Sequence, residues 1–285
     1  MGGDNKVKLK VYGCRGTVST SRPSSIFGGN TSCIVIESLG HILVLDAGSG
    51  LAQFDADLRA KPSNYICKHN EPIDILVSHL HMDHILGLPV FSPCWDNESA
   101  GVRIYTCLRN DYSSLKDQVF GPFKPPYWPV PMEDLANAEC IPISDETPFT
   151  IGPFTVTPFA ATHPDETLSF HIDDGQNTLV HLLDNETSAM DDEFYSNLVK
   201  YCYEVDMVVF DAAYTPTDYQ SKKEWGHSTI EDGYKLAEIS GCKQMLFSHF
   251  NFEYTDGELI ALKKQFEPYG DRFIFSHDGL EIDIT

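Results

Sequence analysis

Seven residues constrain this chain more than any others: Ser78-His79-Leu80-His81-Met82-Asp83-His84, entered directly from the apolar run 73–77. A short aliphatic run of this kind reads as a buried strand, so four potential metal ligands sit at its C-terminal end. Alternate residues of an extended segment point the same way, which lets His79 and His81 face one ion. Asp83 and His84 then turn onto the next helix start and can face a second. Imidazoles and carboxylates grouped at the end of a buried strand carry a desolvation cost that a bound cation offsets. The donor set suits zinc, manganese or ferrous iron, and the lack of a nearby cysteine argues against a closed structural zinc site.

Two ions need more ligands than these four. The same pattern, a polar residue closing an apolar run, recurs along the chain. His163 follows the run 154–159, Asp184 follows 179–183 and His249 follows 244–247, while Asp46 closes 42–45 in Leu45-Asp46-Ala47-Gly48-Ser49-Gly50. Residues that repeatedly terminate strands collect on one rim of a sheet, where α/β proteins gather their ligands. Further strands are expected over 7–12, 33–37, 102–107, 168–172, 207–210 and 272–275. Helices are expected over 191–201, over 228–239 with Ser228 as N-cap and Glu231 three residues on, and over 255–266 with Thr255 as N-cap. The first third is therefore β-rich and the last third alternates strand with helix. This pattern implies a layered α/β protein, two sheets covered by helices, with residues 1–285 as one domain.

Charge and composition exclude several classes. With 42 acidic against 20 basic residues the formal net charge is −22, which repels phosphate backbones at long range, so nucleic acid is not an expected partner. No apolar run approaches the roughly 18–20 residues that cross a bilayer. The polar start shows no secretory signal, so the cytoplasm is the expected compartment. Cys14, Cys33, Cys67, Cys94, Cys107, Cys140, Cys202 and Cys242 lack the spacing of a zinc knuckle or redox pair and are expected as buried free thiols. Residues 120–132 hold five prolines and four aromatics, and read as an ordered connecting loop or as a stiff wall over a site.

Taken in order, Leu45 to Gly50, His79-x-His81-x-Asp83-His84, His163, Asp184 and His249 resemble the metallo-β-lactamase-fold hydrolases, from residue 7 to residue 283. The resemblance implies a four-layered αβ/βα sandwich with two divalent ions, zinc first among them, at one edge of the sheets. Carried over position by position, His79, His81 and His163 would hold the first ion. Asp83, His84 and His249 would hold the second, and Asp184 would bridge the two. Asp46 would orient the histidine loop without touching an ion. His41, His69, His171, His181 and His277 match nothing in the pattern and are read as structural or surface residues.

Asp184 and the absent signal set aside the secreted β-lactamases, and His81, where flavodiiron proteins have Glu, sets those aside. Glyoxalase II proteins share the ligands but end in a helical domain for which 255–285 are too short. Residues 208–214 and Gly226-His227-Ser228-Thr229 resemble ribonuclease Z and related phosphodiesterases, with Asp211 in place of a Glu and Phe210 in place of the preceding histidine. That resemblance implies that Asp211 orients His227 and that His227, beside a helix start, protonates the leaving oxygen. It implies metal-assisted hydrolysis of a phosphodiester by a bridging hydroxide, with Asp83 in the catalytic group. The acidic charge favours a small substrate, such as a cyclic nucleotide or cyclic sugar phosphate, over transfer RNA. Arg15 and Arg22, in the segment 13–29, are candidates for local positive charge beside it. The alternatives are a lactone or thioester hydrolase with the same site, and a ribonuclease Z-like RNA-processing nuclease whose basic groove a homodimer would generate.

Overall fold

Among the described residues, two seven-stranded sheets of matching plan account for the strands. The computed structural model describes residues 7–22, 25–60, 71–96, 99–109, 114–132 and 137–284; Cys67 and His69 lie outside them. The first sheet runs β14 (Glu281–Ile284), β1 (Val7–Gly13), β2 (Cys33–Ser38), β3 (His41–Leu45), β4 (Ile73–Leu76), β5 (Val102–Thr106) and β6 (Ala138–Pro142). The second runs β13 (Phe273–Phe275), β12 (Gln244–Ser248), β11 (Met207–Asp211), β10 (Thr178–Leu182), β9 (Leu168–Asp173), β8 (Phe154–Ala160) and β7 (Phe149–Ile151). In each sheet an antiparallel half gives way to a parallel half, the change falling at β3 and at β10.

Period-two alternation explains the layers. Val11, Ile34, Ile36, Leu43 and Leu45 share a core with Phe170, Val180 and Leu182 of the other sheet. Their neighbours Tyr12, Val35 and Val44 point the opposite way, onto Leu51 and Phe54 of the helix Gly50–Ala60. A strand apolar on both faces is what a position between two layers requires. On the far side, the helix Ile230–Ser240 packs on β11 and β12, with the helix Asp192–Tyr201 against it. The order is helix, sheet, sheet, helix, as expected. Among the described residues no helix is long and apolar enough to cross a membrane, and every described cysteine is free, all but Cys140 being buried.

Thr255 caps its helix as expected, and Asp191, read as the first residue of its helix, is the N-cap. Ser228 does not. The helix starts at Ile230 with Thr229 as N-cap, and Asp232 rather than Glu231 completes the capping box. The Ser228 hydroxyl is taken by the turn after β10, where it donates to the Asn185 carbonyl and accepts from the Thr187 N–H at 3.0 Å. Residues 120–132 are a connecting loop. Phe120, Phe123 and Met132 are buried against the outer face of the first sheet, and the Met132 N–H bonds the Phe123 carbonyl at 3.0 Å. None of this segment lines the cavity described next, so it is not a wall of the site.

Candidate metal centre

The residues that end or follow β3, β4, β8, β10, β11 and β12 converge at one place. Atoms able to bind a metal form three overlapping groups, each within 4.8 Å: His79, His81, His163 with Asp184; Asp83, His84 with His249; and Asp184, Asp211, His227 with His249. Asp184 divides its two oxygens between sets of histidines. Oδ1 lies 3.8 and 3.9 Å from Nε2 of His79 and His163, and Oδ2 lies 3.0 and 3.2 Å from Nε2 of His84 and His249. A carboxylate so placed can bridge two ions.

The far nitrogen of four of the five rings is held by the protein, which fixes which nitrogen faces the centre, while Nδ1 of His249 is buried without a hydrogen-bond partner. His79 Nδ1 meets Ser78 Oγ at 3.1 Å, His84 Nδ1 meets Asp46 Oδ2 at 2.9 Å, and His163 Nδ1 meets Thr167 Oγ1 at 3.0 Å. His81 is turned around. Its Nε2 lies 2.8 Å from Asp165 Oδ2, leaving Nδ1 for an ion, and Arg109 holds the other Asp165 oxygen at 3.2 Å. Asp46 also accepts from the Ser78 N–H and hydroxyl at 2.8 and 2.9 Å, so it orients the histidine loop as expected.

The backbone bends sharply to deliver these groups. Asp46, Asp184 and His249 have φ of +59°, +52° and +60°. A left-handed conformation in a residue with a side chain costs of order 1–3 kcal/mol and persists only where surrounding contacts fix it. Two glycines let loops close over the rings. A Cβ on Gly16 would sit 2.5 Å from the His249 ring, and one on Gly226, at φ +88°, would sit 2.0 Å from His163 Cδ2.

The electrostatics fit divalent ions. Nε2 of His79 is buried without a hydrogen-bond partner, and Nε2 of His84 and Oδ2 of Asp184, though 3.0 Å apart, do not align as a hydrogen bond. Burial, then the neighbouring His84, pushes His79 well below its ordinary pKa, so its ring is neutral. Burial alone would raise Asp184, but His249 and His84 hold it well below the usual carboxylate range. Asp83 is lowered in the same way, against burial, by His84 and His249. His84 and His249 move up despite burial, drawn chiefly by Asp184, so these two rings take protons where the acidic cluster wants positive charge. The neutral His79 and the ionised carboxylates are ready for a metal, and His84 and His249 would exchange their protons for it, since metal binding to imidazole releases protons.

The expected Asp211–His227 pair forms beside this cluster. Asp211 Oδ2 lies 2.8 Å from His227 Nδ1, and Oδ1 accepts from the Ala213 N–H at 3.0 Å. Burial opposes protonation of His227, yet Asp211 wins and raises it to about 9. The ring is not part of a helix start, since it precedes the N-cap Thr229 by two residues. Together with His81, Asp83, Asp184, Tyr214, Lys222 and Trp225 it lines a cavity of about 220 Å³.

Arg15 and Arg22 do not reach that cavity. Arg15 is fully buried and bonds the carbonyls of Gly28, Asn251 and Tyr254; Arg22 bonds those of Phe252, Glu253 and Tyr254. The loop after β12 offers a row of backbone acceptors, and both guanidinium groups satisfy it. Asp165, Glu186, Lys222 and Trp225 were not anticipated from the sequence. The signal for the first two is spacing, since Asp165 stands two residues after His163 and Glu186 two after Asp184. His181 is buried with Nε2 3.6 Å from Asp46 Oδ2, a structural role as expected.

Comparison with known proteins agrees with this construction. A family model for a beta-lactamase superfamily domain matches residues 41–250. Ribonuclease Z of Bradyrhizobium diazoefficiens is 22% identical over 275 residues, covering 81% of this chain and 87% of that protein. The metallo-β-lactamase fold protein YhfI of Bacillus subtilis superposes with a TM-score of 0.73 at 19% identity, over 98% of this chain and 100% of that one. A diphosphatase from the PhnP family superposes with a TM-score of 0.66 at 15% identity, over 98% and 97% of the two chains. The matched span runs from β3 to the residue after His249 and takes in every candidate ligand, and the chain belongs to the metallo-β-lactamase superfamily.

Proposed function

We propose that this chain is a metal-dependent phosphodiesterase acting on a small diester. The observation that carries the reading is the division of the Asp184 oxygens between two sets of histidines, with a second carboxylate–imidazole pair, Asp211–His227, at the same cavity. His79, His81, His163 and Asp184 would hold one divalent ion and Asp83, His84, His249 and Asp184 the other, zinc being the ion proposed and manganese or iron also suiting this donor set. When bound, the ions would supply Lewis acidity toward a phosphoryl oxygen and an activated water.

The remaining work falls to residues of the chain. Asp211 fixes a proton on Nδ1 of His227 and favours the charged ring, which leaves Nε2–H to be given to the departing oxygen. The Thr17 N–H donates to Asp83 Oδ2 at 2.6 Å, which pins that carboxylate against the entering loop. Glycines 16 and 226 let two loops approach the His249 and His163 rings closely, which holds those rings in place at the cavity. A cavity of this size and a net charge of −22 favour a small substrate over folded RNA. The name of one relative, ribonuclease Z, supports phosphodiester chemistry, and that of a structural neighbour, a diphosphatase, supports attack at phosphorus.

Hydrolysis of bis(p-nitrophenyl) phosphate, with elemental analysis of the same sample, tests the reading. The expected result is turnover with two ions per chain, and a loss of about 10²–10⁴-fold in kcat for His227→Ala at unchanged metal content. Two bound ions without turnover would transfer the site to lactone or thioester hydrolysis.

A further inference from the structure

We propose that Lys222, Trp225 and Tyr214 form a subsite for the non-scissile part of the substrate, and that the group it takes is a nucleotide. The inference rests on the hydrolase reading of the adjoining centre and names its substrate class.

Lys222 is the first reason. Its ammonium lies 4.7 Å from the centroid of the Trp225 ring and 5.4 Å from that of Tyr214, at the wall of the cavity. Among the described residues no carboxylate comes within 4.0 Å of it, Asp218 acting on it only from farther off, in a chain that carries 42 acidic side chains. Two aromatic faces hold it in place through their quadrupoles. Its three N–H donors are therefore available to an anion, and among the described residues it is the one lysine or arginine on the cavity wall.

Trp225 is the second. Its side chain remains 57% exposed. The ammonium covers one part of the indole and leaves the rest for a planar group. Base–aromatic stacking strengthens binding by about 10-fold or more for each base.

The loop that carries both residues is built rather than loose. Glu186, buried two residues beyond Asp184, accepts from the Tyr219 hydroxyl at 2.6 Å, the Glu224 N–H at 2.8 Å and the Gly226 N–H at 2.9 Å. The segment 219–226 is thereby tied to the strand end that carries Asp184. Tyr214 is buried, and its ring stands 5.7 Å from that of His227, so the subsite opens on the His227 side of the centre. A sugar phosphate would leave the indole bare, and a neutral aromatic would leave the ammonium without an anion. A base joined to a phosphate meets both.

Calorimetric titration of the zinc-loaded protein with AMP, ribose 5-phosphate and adenosine tests the assignment without turnover. AMP is expected to bind at least about 10-fold tighter than ribose 5-phosphate. Trp225→Ala should erase that advantage while leaving ribose 5-phosphate unchanged, and Trp225→Phe should keep most of it. Lys222→Gln should weaken AMP and ribose 5-phosphate several-fold but not adenosine. Equal affinity for AMP and ribose 5-phosphate, or a ratio unmoved by Trp225→Ala, would overturn the subsite. Failure of the phosphodiesterase reading would register separately, as no turnover of bis(p-nitrophenyl) phosphate by the same two-ion sample.

Discussion

Asp165 holds the most exposed of the candidate ligands. The His81 side chain is 46% exposed, and with Nε2 held at Asp165 Oδ2 its lone pair stays on Nδ1. Removing such a partner lowers metal affinity by about 10- to 100-fold. Asp165→Ala is therefore expected to weaken the first ion by that factor, read by zinc competition against a chromophoric chelator. The circular dichroism should be unchanged, because the pair lies at the surface. Wild-type affinity in the variant would mean that the backbone alone orients His81. The seven candidate ligands were legible because they close apolar runs, a pattern visible without coordinates. Asp165 and Glu186 were not, since a carboxylate two residues past a ligand looks like any solvated loop residue until the path of the loop is known. Arg15 and Arg22 were misread for a related reason. Sequence shows that a cation exists, but not that Gly28, Asn251 and Tyr254 will turn their carbonyls toward it.

At the level of the element, β4 conceals a charge. The run 73–77 reads as an apolar strand, yet Asp74 within it is fully buried on the central strand between β3 and β5. Arg103 Nε and Nη2 reach its two oxygens at 2.7 Å each, His41 Nε2 at 2.9 Å and the Tyr105 hydroxyl at 3.0 Å. Burial would raise Asp74, but His41 and Arg103 lower it below the ordinary carboxylate value. Arg103→Ala strands this charge and should cost about 3 kcal/mol, the low end for breaking a buried pair, because His41 and Tyr105 still bond it. A lowered carboxylate pKa contributes stability above the unfolded value, near 4, and loses it as pH falls through the folded value. The gap between wild type and Arg103→Ala should therefore be full at pH 7 and shrink below about pH 4, in urea denaturation at the two pH values. A gap independent of pH would show that Arg103 acts through packing alone. Most strand positions were legible to within a few residues, because period and β-branching mark them, but the edge strands β6, β7 and β14 were not expected. Asp74 was not, because its partners come from neighbouring strands that sequence does not align. The shift of the N-cap from Ser228 to Thr229 has the same origin, a hydroxyl claimed by the turn after β10.

Over the whole molecule, the ligands are shared between the sheets. Asp46 and residues 79–84 follow β3 and β4 of the first sheet; His163, Asp184 and His249 follow β8, β10 and β12 of the second, and Asp211 ends its β11. Each candidate ion set draws on both, His79 and His81 with His163, and Asp83 and His84 with His249. The sequence contains no repeat, so the matching plan of the two sheets could not be read from it. The layered α/β class could, from the change between a β-rich first third and an alternating last third. A metal held across the interface stabilises the folded chain by mass action. At about 1,000 times its dissociation constant an ion adds about 4 kcal/mol, which for a chain of this length corresponds to roughly 7 °C in Tm. Chelation should lower the melting temperature by that order, and hydrogen exchange should rise at the ends of β3 and β4 as well as of β10 and β12. The coupling is specific to ions that join the layers. If exchange rose in one sheet alone, the ions would be seated within that sheet, and the division of the Asp184 oxygens would not be the bridge proposed. Asp184→Ala supplies the complementary measurement, because losing the shared carboxylate should leave each remaining set short of a ligand and reduce the metal content below two ions per chain.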